Sequence, residues 1–122
     1  MKYHDFHLRE YLVLEHGSRV ILRLELEQER SEIEFCDVVL YHFVHTCGAI
    51  ITDIMEVPLA QFVSDKEQIL KAWAHQHGIA HWQDDASSFA PELFESHSAW
   101  VIESAIGFSG FVIAKEIKEN EA

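Results

Sequence analysis

Apolar and polar residues alternate from Arg19 to Glu27, and this period of two is typical of a strand with one buried face. The residues of the apolar parity are Val20, Leu22, Leu24 and Leu26. Residues 8–15 show a similar pattern, and residues 16–18 form a short loop between the two segments. A three-residue loop pairs Leu14 with Val20 on the buried face, so the pattern predicts a hairpin in that register.

A third strand is predicted over residues 32–45, after a turn at residues 28–31. If the apolar parity stays inward, the outer face contains two like-charge pairs, Glu27 with Glu32 and Glu25 with Glu34. Like charges directly opposite each other destabilise a sheet. Together with the turn, this end of the hairpin collects five carboxylates: Glu25, Glu27, Glu29, Glu32 and Glu34.

Cys47–Gly48 has the composition of a turn, and residues 50–57 return as a fourth strand that Pro58 ends. With a two-residue turn at this point, His42 lies opposite Asp53. The sequence therefore predicts four consecutive strands joined by short hairpin connections.

The period then changes to that of a helix. Ser64 and Glu67 match a capping box, and apolar residues follow at helical spacing, which predicts a helix over residues 65–77. Residues 91–95 are expected to form one helical turn. Two more strands complete the pattern, at residues 98–104 and 111–117.

These elements predict an α+β fold with about six antiparallel strands in the order ββββ-α-ββ and one main helix packed on one face. The length of 122 residues fits a single domain over residues 1–122, with enough chain to bury a core. The charged tail at residues 115–122 is expected to fray.

The chain carries 9 Lys and Arg against 21 Asp and Glu, a formal net charge of -12. Such a field repels nucleic acid and anionic membranes and favours encounter with basic partners. No apolar run approaches the ~18 residues of a membrane span, and the N-terminal residues lack the apolar core of an export signal. A cytoplasmic location is expected, where the two cysteines need no disulfide.

Motifs of enzyme active sites are absent from the sequence. It contains no GxGxxG, no P-loop, no HExxH and no CxxC. Residues 107–111 begin like the nucleophile elbow of hydrolases, but the fifth residue is Phe111 and the segment joins two predicted strands. The sequence therefore predicts no cofactor and favours a binding role over catalysis.

Two histidine arrangements keep a small enzyme or metal-binding protein as the alternative. The predicted pair of His42 and Asp53 would orient an imidazole for general-base chemistry, although such pairs more often satisfy a half-buried polar group. A metal site in the loop would use His77, His81 and Asp84 or Asp85. Gly78 is predicted to end the helix between the two histidines, so no metal site is predicted.

Trp82 lies in a polar segment, where an aromatic side chain is either a lid over the core or an exposed anchor for a partner. Ile106 and Phe108, between the last two predicted strands, pose the same choice. A homodimer sealed by Trp82 or Phe108 is therefore a third hypothesis.

The predicted docking surface is the acidic hairpin end, with Trp82 as an additional anchor. In size and acidity the chain is similar to immunity proteins that neutralise basic nuclease toxins. This likeness rests on class and on no motif. It implies a non-catalytic protein that binds one basic protein partner.

Overall fold

The computed structural model describes residues 3–70, 72 and 93–121, and six antiparallel strands make up most of them. The strands are β1 (His7–Leu14), β2 (Arg19–Leu26), β3 (Glu29–Cys36), β4 (Leu40–Pro58), β5 (Ser98–Ala114) and β6 (Glu116–Glu121). The described helical residues are a 3-10 turn (Glu15–Gly17), α1 (Leu59–Asp65), residues 67–70 with residue 72, and α2 (Leu93–Ser96). The predicted antiparallel, sheet-dominated class is confirmed, whereas the number and order of the helices differ from the prediction.

The sheet has the strand order β5-β4-β1-β2-β3-β6, so β5 and β6 are its edge strands. These two strands are also consecutive in the chain, with only Lys115 between them. The sheet therefore curls until its edges approach at this corner, where the Lys115 amide donates to the Cys36 carbonyl oxygen at 3.0 Å. The larger core fills the concave side, and its fully buried residues include Val20, Leu22, Phe35 and Val112.

α1 and α2 cover the other face of the β4–β5 pair. Leu59, Phe62 and Leu93 of these helices belong to a second core cluster. The same cluster contains Ala99 and Ile113 of β5. Because β4 and β5 bury side chains on both faces, their sequences contain continuous apolar runs rather than a strict alternation.

The β1–β2 hairpin closes with Leu14 opposite Arg19, so its register near the turn differs by one residue from the prediction, and a β-bulge at Arg9 shifts it by one more. Val13, rather than Leu14, lies opposite Val20, so the predicted pair is wrong. The bulge reverses the parity of the strand, which lets Leu8 and Tyr11 both face the concave core.

β2 and β3 are joined by Glu27 and Gln28 alone, not by the predicted turn at residues 28–31. Glu27 adopts a φ of 55°, the left-handed conformation that tight hairpin turns require. The predicted like-charge pairs on the outer face are therefore wrong. Opposite charges face each other there instead, Glu25 with Arg30 and Arg23 with Glu32.

β4 continues through Cys47–Gly48 without turning and forms one strand of 19 residues. The predicted strand at 32–45 is thus divided between β3 and β4, and β4 absorbs the predicted strand at 50–57. The reason is the positive φ of Gly48, 83°, which serves a bulge within a strand as well as it serves a turn.

A separate helix that the sequence did not predict precedes the predicted helix, whose residues 67–70 and 72 are helical. α1 starts directly after Pro58, and Ser64 lies inside it instead of capping a helix. Lys66 ends α1, and residues 67–70 are helical again. Residues 71 and 73–77 of the predicted helix lie outside the described residues.

The C-terminal part also differs from its prediction. β5 spans both the predicted strand at 98–104 and most of that at 111–117. Residues 116–121, which were expected to fray, form β6 and pair with β3. β3 supplies a partner for this tail that the sequence pattern alone did not reveal.

Gly48 and Gly107 let the long antiparallel pair of β4 and β5 bend near its middle. Gly107 has a φ of 82°, in the same left-handed region as Gly48. A Cβ on Gly107 would lie 3.0 Å from the Ala49 Cα, so the two backbones meet closely here. The pairing register of β4 and β5 shifts at this point, and the two strands follow the curl of the sheet.

Gly110 is the described glycine whose surroundings tolerate a side chain least. A Cβ there would lie 2.3 Å from the His42 carbonyl oxygen and 2.5 Å from Phe43 Cδ1. We expect Gly110→Ala to lower the free energy of unfolding by about 3 kcal/mol, the upper end of the usual cost of overpacking. Urea denaturation of the two proteins measures this difference.

Gly17→Ala is the matched control, because a Cβ at Gly17 meets nothing within 4 Å. Gly17 has a φ of 89°, so its replacement carries the cost of the left-handed conformation alone, about 1 kcal/mol. An equal loss in the two variants would show that crowding against β4 is not what constrains Gly110.

Candidate functional site

Every arginine of the chain lies on the outer face of β1, β2 and β3. We call this surface the arginine face, and it consists of the four arginines and the five glutamates that contact them. Its members are Arg9, Arg19, Arg23, Arg30, Glu10, Glu15, Glu25, Glu32 and Glu34. The outward parity of β2 and the register of its neighbours place carboxylates beside each guanidinium group.

Arg23 lies in the middle of the arginine face and connects three strands. Its Nε is 3.0 Å from Glu32 Oε1 on β3, and its Nη1 is 3.2 Å from Glu10 Oε1 on β1. Hydrogen bonds to these two carboxylates raise the pKa of Arg23, which keeps the guanidinium charged. One side chain therefore ties together the outer face of β1, β2 and β3.

Arg19 makes a second bridge. Its Nε lies 2.9 Å from Glu34 Oε2, and its Nη1 lies 3.3 Å from Glu15 Oε1. The Cys36 thiol donates a weak hydrogen bond to the same Glu34 oxygen, at 3.6 Å. The hydrogen bond from Arg19 is the main cause that lowers the pKa of Glu34. Glu34 is thus held as a carboxylate by two donors.

The surroundings of Cys36 favour the protonated thiol, which disfavours nucleophilic chemistry. Burial, followed by its hydrogen bond to Glu34, raises the pKa of this thiol. A protonated, buried thiol is a poor nucleophile. Cys47 is exposed, and both cysteines are free.

Three of the five carboxylates predicted as a docking surface belong to the arginine face: Glu25, Glu32 and Glu34. Glu25 contacts two arginines, with Oε2 3.1 Å from Arg9 Nε and Oε1 3.7 Å from Arg30 Nε. These carboxylates are therefore compensated by arginines, and the local repulsion predicted between them is absent.

The other two predicted carboxylates, Glu27 and Glu29, lie at the hairpin tip, which we define as residues 27–29. Both are exposed. Within the described part of the chain, neither forms an ion pair shorter than 4.0 Å. The hairpin tip thus carries two exposed carboxylates that form no ion pair with a described residue.

Ile21 shows that the arginine face is closely packed. It points outward, opposite Glu34, and belongs to neither core cluster, yet it is only 8% exposed. Arg19 and Arg23 flank it at i−2 and i+2, and arginine stems cover apolar surface while their charged ends reach polar partners. Packing and ion pairs together therefore fix the positions of these charges.

The predicted pair of His42 and Asp53 is wrong. Both residues lie on β4, where His42 pairs with Phe111 and Asp53 pairs with Glu103 of β5. The Ile54 amide donates to Asp53 Oδ1 at 2.8 Å, which occupies this carboxylate with local backbone. Asp53 and Glu103 are a like-charge cross-strand pair, the feature that the sequence had suggested for β2 and β3.

The remaining predicted candidates divide into two groups. Trp82, His77, His81, Asp84 and Asp85 lie outside the described residues. Phe108, the proposed dimer anchor, is only 5% exposed and belongs to the concave core. Among residues 3–70, 72 and 93–121, no group of three or more His, Cys, Asp or Glu side chains is placed to hold a metal ion.

An open groove of about 620 Å³ runs along β5 beside the end of α1. Its polar lining includes His42, Thr52, Lys66 and Glu103. Sequence reasoning did not predict this groove, because its walls come from α1 and from the β4–β5 bend, both of which differ from the prediction.

The arginine contacts that sequence reasoning missed are those that join β2 to β3, Arg23 with Glu32 and Arg19 with Glu34. A signal for them was present, since a two-residue turn at Glu27 and Gln28 pairs Arg23 with Glu32 and Arg30 with Glu25. Opposite charges directly across two strands stabilise a sheet. Comparing the two registers by charge would therefore have favoured the observed one.

A comparison of the sequence with known protein families and with curated proteins finds no match. In the described segments, no helix has the length and apolar character that crossing a membrane requires. A proposal for the function therefore has to rest on the geometry of the arginine face and the hairpin tip.

The Glu34–Arg19 bridge predicts a specific pH dependence. Because the pKa of Glu34 is lowered in the folded protein, its contribution to stability is present above the ordinary glutamate pKa of about 4.3 and is lost as the pH falls through the lower folded value. We expect Glu34→Gln to be less stable than wild type at neutral pH, with a difference that shrinks in acid. Urea denaturation from neutral to acidic pH measures it.

A double-mutant cycle supplies the control. In an Arg19→Gln background the main cause of the lowered pKa is removed, so Glu34→Gln should then change the pH dependence much less. If the Glu34 substitution has the same pH-dependent effect in both backgrounds, Arg19 is not its source.

Proposed function

We propose that this chain is a non-catalytic binding protein that docks a basic protein partner at the hairpin tip and the adjoining arginine face. The observation that carries the proposal is the pairing of every arginine with glutamates of its own face. Since these arginines are compensated within the chain, little positive charge is left to oppose a basic partner there.

The hairpin tip supplies the long-range attraction. Glu27 and Glu29 are exposed carboxylates at the end of a tight turn. Exposed charges of this kind act over about 8 Å at physiological salt, and they accelerate the encounter with a surface of opposite charge. Lys and Arg side chains are the groups that fit these positions.

The arginine face supplies ordered acceptors next to the tip. Glu10 and Glu32 each contact Arg23 through Oε1, and no described residue forms an ion pair with their second oxygens. Those oxygens are acceptors for donors of a partner. Because the arginines already hold these side chains in place, docking costs less side-chain entropy than it would on a mobile acidic surface.

The sharpest form of this proposal is an inhibitor or immunity-like protein that covers a basic site of one partner. We place its action in the cytoplasm. The two free cysteines fit a reducing compartment, where thiols stay unpaired.

The test is a comparison of two immobilised proteins, wild type and the variant Glu27→Lys with Glu29→Lys. Lysate of the source organism is passed over each at low salt and eluted with a salt ramp. We expect wild type to retain one basic protein in near-stoichiometric amount. The variant should release that protein at clearly lower salt, because the tip no longer attracts it.

The matched control is Asp65→Lys with Glu95→Lys, which changes the net charge equally at exposed positions of α1 and α2. It should elute the partner at the same salt as wild type. Identical elution from the tip variant and wild type, or no stoichiometric basic protein on any column, would overturn the proposal.

A further inference from the structure

The middle of the β4–β5 strand pair contains no carboxylate, lysine or arginine side chain, in an otherwise strongly acidic chain. No Asp, Glu, Lys or Arg occurs from Val38 to Thr52 or from Ser104 to Ala114. We call the exposed residues around the bend the neutral patch. It consists of Val44, Thr46, Cys47, Gly48, Ala105, Ile106 and Ser109. The ring of His45 faces the concave core instead, against Tyr11 and Phe108.

The pairing of β4 with β5 brings these residues into one surface. Val44 lies opposite Ser109, and Ile106 lies opposite Ile50. Thr46 Oγ1 donates to the Gly107 carbonyl oxygen at 3.4 Å, which joins the two sides of the bend. The neutral patch is therefore continuous across the two strands.

Ile106 and Val44 are the most exposed large apolar residues of the described chain, at 57% and 53%. Ile106 is held in this position from both sides. The Phe108 amide donates to Ser104 Oγ at 3.1 Å, and the Ser104 hydroxyl also contacts the Phe108 carbonyl oxygen. Phe108 itself is anchored in the concave core.

Gly107 fixes the same segment from below, because its backbone lies directly against Ala49. Ile106 is thus an apolar side chain that is presented to solvent on a fixed backbone. Apolar residues fixed in this way lose little conformational entropy when a partner covers them, which is typical of interface anchors.

Charge decides which partner fits this patch. A basic protein is attracted to carboxylates, and the neutral patch has none. Two copies of this chain, each with a formal net charge of -12, repel each other over most of their surfaces. The neutral patch is a surface where two copies approach without placing like charges in contact, a juxtaposition that costs several kcal/mol elsewhere.

We infer that the neutral patch is the interface of a two-fold symmetric homodimer. In a two-fold interface the same patch occurs on both sides, so Ile106 of one copy packs against the patch of the other, which includes Val44 and Cys47. The patch has fewer residues than the roughly 20–30 per side of a standard interface, so the dimer is weak, with a dissociation constant on the order of 10–100 µM. This inference is independent of the proposed basic partner.

Salt provides a readout that separates the two surfaces. Added salt screens the repulsion between two acidic copies, so self-association should become tighter, whereas attraction of a basic partner becomes weaker. Sedimentation equilibrium of the purified chain, from about 1 µM to about 1 mM and at about 0.05 M and 0.5 M NaCl, measures the first effect. We expect a dissociation constant several-fold smaller at the higher salt.

Two variants test the location of the interface. Ile106→Glu should weaken self-association by at least about tenfold, whereas Gln61→Glu, an exposed position of α1 with the same change in net charge, should leave it unchanged. Val44→Lys makes the net charge less negative and would strengthen a dimer formed elsewhere. At the neutral patch it places an unpaired charge in the interface and should weaken the dimer.

Circular dichroism and urea denaturation of each variant show that the monomer remains folded, as expected for exposed positions. A chain that stays monomeric throughout the concentration range would overturn the inference. So would a dimer that Ile106→Glu does not weaken, a dimer that Val44→Lys strengthens, or one that dissociates as salt is added.

Discussion

The close approach of β4 and β5 at Gly48 and Gly107 is the constraint on which the rest of the structure depends. A straight strand of 19 residues would extend roughly 60 Å, whereas a chain of this length has a radius of gyration of about 14 Å. The bend lets both halves of the β4–β5 pair line one concave core, while α1 and α2 pack on the opposite face. It also brings the end of β5 to Cys36, so β6 can begin on the far edge of the sheet.

The charge pattern of the outer face follows from the length of one turn. With two residues between β2 and β3, arginines and glutamates lie opposite each other; with four, glutamates would face glutamates. A single left-handed residue, Glu27, therefore decides whether this face is a network of ion pairs or a repulsive surface. Exposed ion pairs contribute little each, about 0–1 kcal/mol, so the network matters more for fixing the positions of the carboxylates than for overall stability.

The sequence predicted what depends on local periodicity and missed what depends on backbone conformations that side chains do not encode. β2 was found because its apolar residues alternate, and the antiparallel sheet was found because the connections are short. The bulge at Arg9, the turn at Glu27 and the continuous strand through Gly48 were missed, since each rests on a local φ/ψ choice that the same residues permit in two ways. The carboxylates were placed on the correct hairpin, but their arginine partners required the true register.

The negative net charge affects the two proposed surfaces in opposite ways, because it attracts a basic partner to the hairpin tip and repels a second copy from the neutral patch. Binding of the partner and dimerisation are therefore coupled. A basic partner at the hairpin tip would offset part of the negative charge that keeps two copies apart, so the dimer at the neutral patch would tighten when the partner binds. Linkage makes the effect reciprocal, since a dimer concentrates carboxylates and holds a basic partner more tightly than a monomer does. No structural change between the surfaces is needed for this coupling. The coupling free energy depends on the distance between the two surfaces relative to the Debye length, so it decreases as salt is added.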